Sequence, residues 1–193
     1  MRGRDKFQKY KKIILLISRI FKIFPLGIRK KLLIYCRYTN GSLGYMLRYS
    51  LLKAVCAECG DNVSVAPGAY ILNAQNLYLG NNISIHPMCY IECGPFSDSC
   101  IKIDDDVSIA HGSTIICTSH TYHSDTTDII KDMPVAYKPV HICKNVWIGA
   151  KSTILYGITI ESGCVIGANS VVTKSTQRDG IYAGTPAQRI KER

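Results

Sequence analysis

Residues 140–174 read VHICKNVWIGAKSTILYGITIESGCVIGANSVVTK, and a branched apolar residue returns every six positions: Ile142, Ile148, Ile154, Ile160, Ile166 and Val172. Two places before each stands a small or apolar residue: Val140, Val146, Ser152, Ile158, Cys164 and Ser170. A helix repeats about every 3.6 residues and a half-buried strand about every 2, so neither element generates this spacing. Each six-residue unit must be one repeat of a stacked architecture, because alone it is too short to bury an apolar face. The same pairs recur upstream, in Val63/Val65, Ala69/Ile71, Leu77/Leu79, Ile83/Ile85, Cys89/Ile91, Ile101/Ile103, Val107/Ile109 and Ser113/Ile115. The solid that satisfies them is a parallel β-helix, with short flat strands, turns between them, and inward side chains stacked on their copies in neighbouring coils. The fold class is therefore all-β.

The repeat runs from Val63 to Lys174 and breaks twice. Cys93–Cys100, which contains Gly94-Pro95 and Ser97-Asp98, leaves the hexad. About twenty residues, His120–Pro139, are inserted between Ile115 and Ile142, and a long insertion in a strict repeat is a place where function collects. After Lys174 the pattern stops, and Gly184-Thr185-Pro186 turns the chain into a basic tail that reads as a short C-terminal helix. The expected organisation is an N-terminal segment, 1–55, and a β-helix domain, 56–193, with the inserted loop 120–139 and the C-terminal tail 184–193.

Charge separates the same two parts. Residues 1–55 hold 14 of the 24 Lys+Arg and one acid, Asp5, an excess of +13; residues 56–193 hold 10 basic and 13 acidic side chains, a net −3. Residues 5–24 read as a helix with a wide apolar arc (Ile13, Ile14, Leu16, Ile17, Ile20, Phe21, Phe24) and a narrow polar stripe (Lys11, Lys12, Ser18, Arg19, Lys22). Pro25 ends it, and helical stretches follow through Arg29–Tyr38 and near Leu43–Val55. One reading makes this segment a cap over the open end of the β-helix. The other lays a basic amphipathic surface on the anionic inner membrane, since a cap alone does not call for thirteen positive charges. Nucleic acid is not expected, because no binding motif accompanies the charge. The stretch Ile13–Leu26 carries Arg19 and Lys22 and is too short to span a bilayer, and a signal peptide is not expected because Arg19 interrupts the apolar core and no small-residue cleavage site follows. Nine cysteines without the spacing of a disulfide framework point to a reducing cytoplasm, with peripheral attachment to the inner membrane as the extension of the second reading. Cys56-Ala-Glu-Cys59 lacks a second pair and is not read as a zinc site.

Three further stretches carry chemistry: Cys117-Thr-Ser-His120-Thr-Tyr-His123 at the mouth of the insertion, Asn145-Val-Trp147-Ile-Gly149-Ala150, and Gly167-Ala168-Asn-Ser-Val-Val-Thr173-Lys174 with Ala183-Gly-Thr-Pro186-Ala. With these the chain, over about residues 58–193, resembles the hexapeptide-repeat acyltransferases, and within them the galactoside/maltose acetyltransferases and the O-acetyltransferases of bacterial polysaccharide pathways. The resemblance implies a left-handed helix, a homotrimer with active sites between subunits, and acetyl-CoA as co-substrate. It implies that His120 is the catalytic general base, removing the proton of an alcohol as it attacks the thioester. It places Trp147, Ala150, Ala168, Thr173 and Lys174 along CoA, with Ala150 N–H facing the thioester carbonyl and Lys191 or Arg189 joining Lys174 at the phosphates. His123 is either loop structure or a substrate contact, while His86, His111 and His141 are read as solvent-facing turn residues.

One departure bears on the acceptor. Where the galactoside enzymes have an asparagine after a tyrosine, this chain has Tyr90-Ile91-Glu92, and Asp98 reaches the family's acceptor aspartate only through the irregular segment. Tyr90, Glu92 and Asp98 are the candidate acceptor residues, with Glu92 either bonding sugar hydroxyls or orienting His120. The expected activity is acetyl-CoA-dependent O-acetylation of a sugar hydroxyl in capsule, O-antigen or exopolysaccharide synthesis, with no metal required. A soluble acceptor (an antibiotic, a free sugar or serine) is the alternative within the class. A metal site like that of the carbonic anhydrases sharing this fold needs a His-x4-His pair, whereas His120 and His123 are three apart.

Overall fold

The computed structural model describes residues 3–121 and 132–193 and shows a parallel β-solenoid behind three helices. Each coil lays one short strand on each of three faces. Face A is built from Glu58–Cys59, Leu77–Leu79, Ile101–Ile103, Val140–Ile142 and Thr159–Ile160. Face B holds Ser64–Val65, Ser84–Ile85, Ser108–Ile109, Trp147–Ile148 and Val165–Ile166, and face C holds Tyr70–Leu72, Tyr90–Glu92, Thr114–Ile116, Thr153–Ile154 and Val171–Val172. The register produces three internal ladders: Leu79–Ile103–Ile142–Ile160, Val65–Ile85–Ile109–Ile148–Ile166, and Ile71–Ile91–Ile115–Ile154–Val172. From Ile91 upward the third ladder is fully buried, as are the isoleucines of the other two. At about 1.5–3 kcal/mol per buried branched side chain, these ladders are the main stabilising term of the body.

The corners between faces require left-handed backbone. From A to B the position is filled by Asn62, Asn82, Asp106 and Asn145, with φ of 57, 57, 61 and 59°. Asn and Asp accept that region because their short side chains bond locally. Here they also bond between coils, Asn62 Nδ2 donating to Asn82 Oδ1 (2.9 Å) and Asn82 Nδ2 to Asp106 Oδ1 (3.0 Å). The corner from C to A carries the excursions, which grow coil by coil: a 3₁₀ turn at Ala74–Asn76, the segment 93–100, then a hairpin pairing Thr118–His120 with Val135–Tyr137. The insertion thus leaves the solenoid at Cys117, three residues before the boundary read from the sequence. The three excursions are stitched together. Asn76 Nδ2 donates to the Gly94 and Phe96 carbonyls, and the Phe96 ring meets Tyr137 edge-on at 5.6 Å.

Helices α1 (Gly3–Lys22), α2 (Leu26–Tyr35) and α3 (Gly41–Val55) close the lower end, with Leu51, Leu52 and Val55 buried. That end exposes carbonyls with no lower coil to satisfy them, and basic side chains take the role. Arg48, only 1% exposed, donates Nε to Val65 O (2.8 Å) and Nη1 to Cys36 O (3.2 Å) and Thr39 O (2.6 Å). Arg37 donates to Gly68 O, Lys53 to Cys59 O and Gly60 O, and Tyr49 to Gly60 O. Arg29 bonds Ala54 O, and Lys11 pairs with Asp61 at 2.6 Å. The cap therefore takes up five of the fourteen basic residues of this segment, Lys11, Arg29, Arg37, Arg48 and Lys53. At the upper end, Gly180–Gly184 extends face B and turns back through Ala187–Glu192 as an antiparallel strand. The short C-terminal helix expected from composition is corrected to a strand, because pairing with Gly180–Gly184 satisfies backbone groups that a detached helix would leave open.

Replacing Arg48 by Met keeps the bulk of the side chain but strips the Val65, Cys36 and Thr39 carbonyls of their donor. A loss of about 3 kcal/mol is expected, measured as a fall in midpoint on chemical denaturation, with the solenoid's circular dichroism retained below the transition.

Candidate active site

The corner from B to C repeats a four-residue turn on every coil: Val65-Ala66-Pro67-Gly68, Ile85-His86-Pro87-Met88, Ile109-Ala110-His111-Gly112, Ile148-Gly149-Ala150-Lys151 and Ile166-Gly167-Ala168-Asn169. Its second residue bonds the next coil, as in Ala110 N to Ile148 O and Gly149 N to Ile166 O. The third residue needs no such bond, which is why proline stands there twice, at Pro67 and Pro87. At Ala150 and Ala168 the same position keeps its N–H, and neither donates to an acceptor among the described residues. The coils also meet closely here. A Cβ on Gly149 would lie 2.6 Å from both Ala168 N and Ile166 O, so glycine is the residue that fits. The result is a smooth edge with outward amide donors, flanked on face B by Trp147, which is 55% exposed. Thr173 and Lys174 lie exposed where the last strand of face C ends, and Lys191 is exposed on the final strand beside Ile181.

His120 lies at another edge. It ends the first strand of the hairpin, in register with Val135, and its imidazole is exposed. Nδ1 lies 3.3 Å from Met133 O. A carbonyl can only accept, so this contact puts the ring proton on Nδ1 and leaves Nε2 as the basic nitrogen. The hairpin root is fixed by Cys117 N–H donating to Glu92 O, Lys138 N–H to Cys117 O, and the Cys117 thiol to Cys100 O (3.1 Å). Glu92 completes the root: Oε1 accepts from Thr118 Oγ1 (2.9 Å) and Oε2 from the Tyr90 hydroxyl (2.8 Å). Burial, and then the bond to Glu92, push the Tyr90 phenol up to about 12. Glu92 has no bond to the His120 ring among the described residues and would orient it only through Thr118. It ties face C to the strand that ends in His120.

Of the candidate acceptor residues, Tyr90 and Glu92 are joined and Asp98 stands apart, exposed on the excursion 93–100 whose Phe96 packs on Tyr137. His123 lies outside the described residues. His86 and His111 are exposed turn residues, but His141 is on the strand Val140–Ile142, half-buried and bonded to Asp104, not on a turn. The sequence reading missed Met133 and Thr118, whose roles come from a backbone carbonyl and a strand register that no motif announces. Within one chain, His120 at the C-to-A edge and the Trp147, Ala150 and Ala168 group at face B and the B-to-C edge are not brought together.

Residues 139–174 match the family model for the bacterial transferase hexapeptide (six repeats). Galactoside O-acetyltransferase of Escherichia coli (strain K12) is 34% identical over 145 residues, covering 75% of this chain and 68% of that protein. WbbJ of the same strain, named for lipopolysaccharide biosynthesis O-acetyl transfer, is 32% identical over 124 residues, 60% of each chain. A solved galactoside acetyltransferase in complex with coenzyme A superposes with a TM-score of 0.73 and 30% identity, covering 86% of this chain and 79% of that one. The chain belongs to the hexapeptide-repeat acetyltransferase family and is an acyltransferase, and its solenoid is the left-handed parallel β-helix of that family.

If Glu92 positions His120 through Thr118, then Thr118→Val lowers kcat by about 10- to 100-fold while leaving KM for the acyl donor unchanged. Thr118→Ser, which keeps the hydroxyl, restores the rate. Steady-state kinetics on the pair of variants checks this.

Proposed function

We propose that this protein transfers the acetyl group of acetyl-CoA to a sugar hydroxyl, as a homotrimer in which His120 of one copy faces the Ala150 edge of the next. The observation behind the reading is the division of chemistry within one chain: a basic imidazole nitrogen at one edge, and outward amide donors beside an exposed tryptophan at another. Two such halves complete each other only between copies. The solved relative bound to coenzyme A supplies the donor class.

The reaction follows from these groups. His120 Nε2 takes the proton of the acceptor hydroxyl as its oxygen attacks the thioester carbonyl. The negative charge that develops on the thioester's carbonyl oxygen is met by Ala150 N–H, already oriented and free of other duties. Collapse breaks the C–S bond, and the imidazolium returns the proton to the CoA sulfur, leaving an O-acetyl ester and free CoA. Trp147, Ala168 and Thr173 line the path of the pantetheine arm, and Lys174 and Lys191 meet its phosphates. Nothing in these steps requires a metal ion. His120→Ala should lower acetyl transfer by about 10²- to 10⁴-fold with binding of CoA intact. Unchanged turnover would remove His120 from the mechanism.

The acceptor we propose is a membrane-assembled glycan intermediate of capsule, O-antigen or exopolysaccharide synthesis. WbbJ supports the class of acceptor, and the helical segment supports its place. Helix α1 buries Phe7, Ile14 and Ser18 on one side and exposes Ile13, Leu16 and Ile20 on another, with Ile23 and Phe24 exposed just past its end. Lys12, Arg19 and Lys22 border that exposed strip, and Ile28, Lys31 and Ile34 of α2 are exposed as well. Among the described residues no helix is long and apolar enough to cross a membrane. An apolar strip with a cationic border fits an anionic lipid surface. Sedimentation of the full chain with vesicles tests this: binding should rise with the anionic lipid fraction and be lost in Leu16→Ser/Ile20→Ser/Ile23→Ser. Equal binding by that variant, or none by the wild type, removes the membrane from the proposal and favours a soluble acceptor.

A further inference from the structure

On face A, away from the groups assigned to acetyl transfer, three side chains of metal-ligating type converge. Asp104 follows the strand Ile101–Ile103, and Cys143 follows the strand Val140–Ile142 on the next coil. Lys102 pairs with His141 in the ladder, so Asp104 and Cys143 hold equivalent positions on successive coils, with His141 between them. His141 Nε2 lies 2.9 Å from Asp104 Oδ2. Cys143 Sγ lies 3.9 Å from His141 Nδ1 and 4.0 Å from Nε2. The three ligand atoms fall within 4.8 Å of one another. An ordinary His–Asp hydrogen bond explains two members and leaves the thiol against the ring without a reason. Beside them opens a groove of about 290 Å³, lined by Glu58, Tyr78, Lys102, Asp104, Asp105 and Lys144 among others.

We propose that Asp104, His141 and Cys143 bind a divalent transition-metal ion of the zinc type, with the fourth position left to water from the groove. A thiolate, an imidazole and a carboxylate together disfavour Mg²⁺ and Ca²⁺, which take oxygen ligands, and suit tetrahedral Zn²⁺. Metal–ligand bonds of about 2.0–2.3 Å place tetrahedral donors about 3.3–3.8 Å apart, so small side-chain rotations bring the three atoms into range. On binding, the Cys143 thiol gives its proton to solvent, and His141 carries its single proton on Nδ1 so that the Nε2 lone pair meets the ion. Lys102 Nζ, 3.6 Å from Asp104 Oδ1 and largely exposed, is free to swing away.

The location gives the ion a role outside the acyl transfer. Asp104 precedes the insertion that bears His120, and His141 and Cys143 follow it. A bound ion staples the coil that sends out the hairpin to the coil that receives it. The test titrates the full-length protein with Zn²⁺ alone, and with Co²⁺ to read thiolate-to-metal charge-transfer absorption. One ion per protomer, bound with a rise in Tm, lost in His141→Ala and Cys143→Ser but kept in Cys59→Ser, is the expected result. Circular dichroism of the conservative Cys143→Ser variant checks that it is folded, so that lost binding reports on the ligand and not on the fold. Zinc that persists in both face A variants, or a wild type that takes up no more zinc than Cys143→Ser, overturns the site.

Discussion

Hydrogen bonding along the solenoid axis is the constraint on which the rest depends. A peptide group in one coil is satisfied by the coil above or below, so the first and last coils each present a ring of polar backbone with nowhere to go. At the lower end the unsatisfied groups include the carbonyls of Cys59, Gly60, Val65 and Gly68, which need donors that accept nothing in return. Lysine and arginine are such donors, and Lys53, Arg48 and Arg37 reach three faces of the first coil from three directions. Much of the basic character of the N-terminal segment is thus backbone chemistry before it is an electrostatic signal to a partner. The upper end is closed differently, by folding the chain back as one more strand.

The same constraint prepares the site. A corner residue whose amide is not needed by the next coil can be proline lower down and alanine higher up without changing the fold. Where it is alanine, the solenoid offers an outward donor at each coil, about 4.8 Å from the one below. Ala150 and Ala168 form such a pair, and the small side chains leave the edge clear. Specific chemistry then needs only a base brought to that edge, and the hairpin is the part of the chain that leaves the solenoid far enough to carry one.

The ladders were legible because inward positions recur with no exception, so Ile142 to Val172 fixed period, face and core together. The insertion was legible as a break in that period, and His120 as its opening residue. What escaped the sequence depended on neighbours distant in the chain. Ala187–Glu192 has the polar, charged composition of a helix, yet lies beside an open sheet edge, and pairing overrides propensity there. Arg48 and Arg37 read as members of a charge run, since nothing local reveals that a carbonyl on another element waits for them. His141 looked like a turn residue because the hexad marks only inward positions, and an outward strand residue and a corner residue look alike in it.

The hairpin is anchored where it leaves the solenoid. Its root is held by backbone bonds from Cys117 and Lys138, by the Glu92–Thr118 contact and by Phe96 against Tyr137, all on the buried side of His120. At His120 itself stand the ring's bond to the Met133 carbonyl and the bonds of Thr121 with Pro134. In the proposed role of general base, His120 gains from a fixed strand beneath it and from a ring whose tautomer is set, and both conditions are met without the ring being buried. That arrangement leaves Nε2 open to a large acceptor, which a base sunk in a closed pocket would exclude. The coil that carries the hairpin is two intervals above the first, about 10 Å by strand spacing, so in the proposed reaction an acceptor anchored at a membrane-bound cap would have to extend that far. Under the proposed membrane placement, a glycan of more than one sugar unit meets that demand more readily than a free monosaccharide.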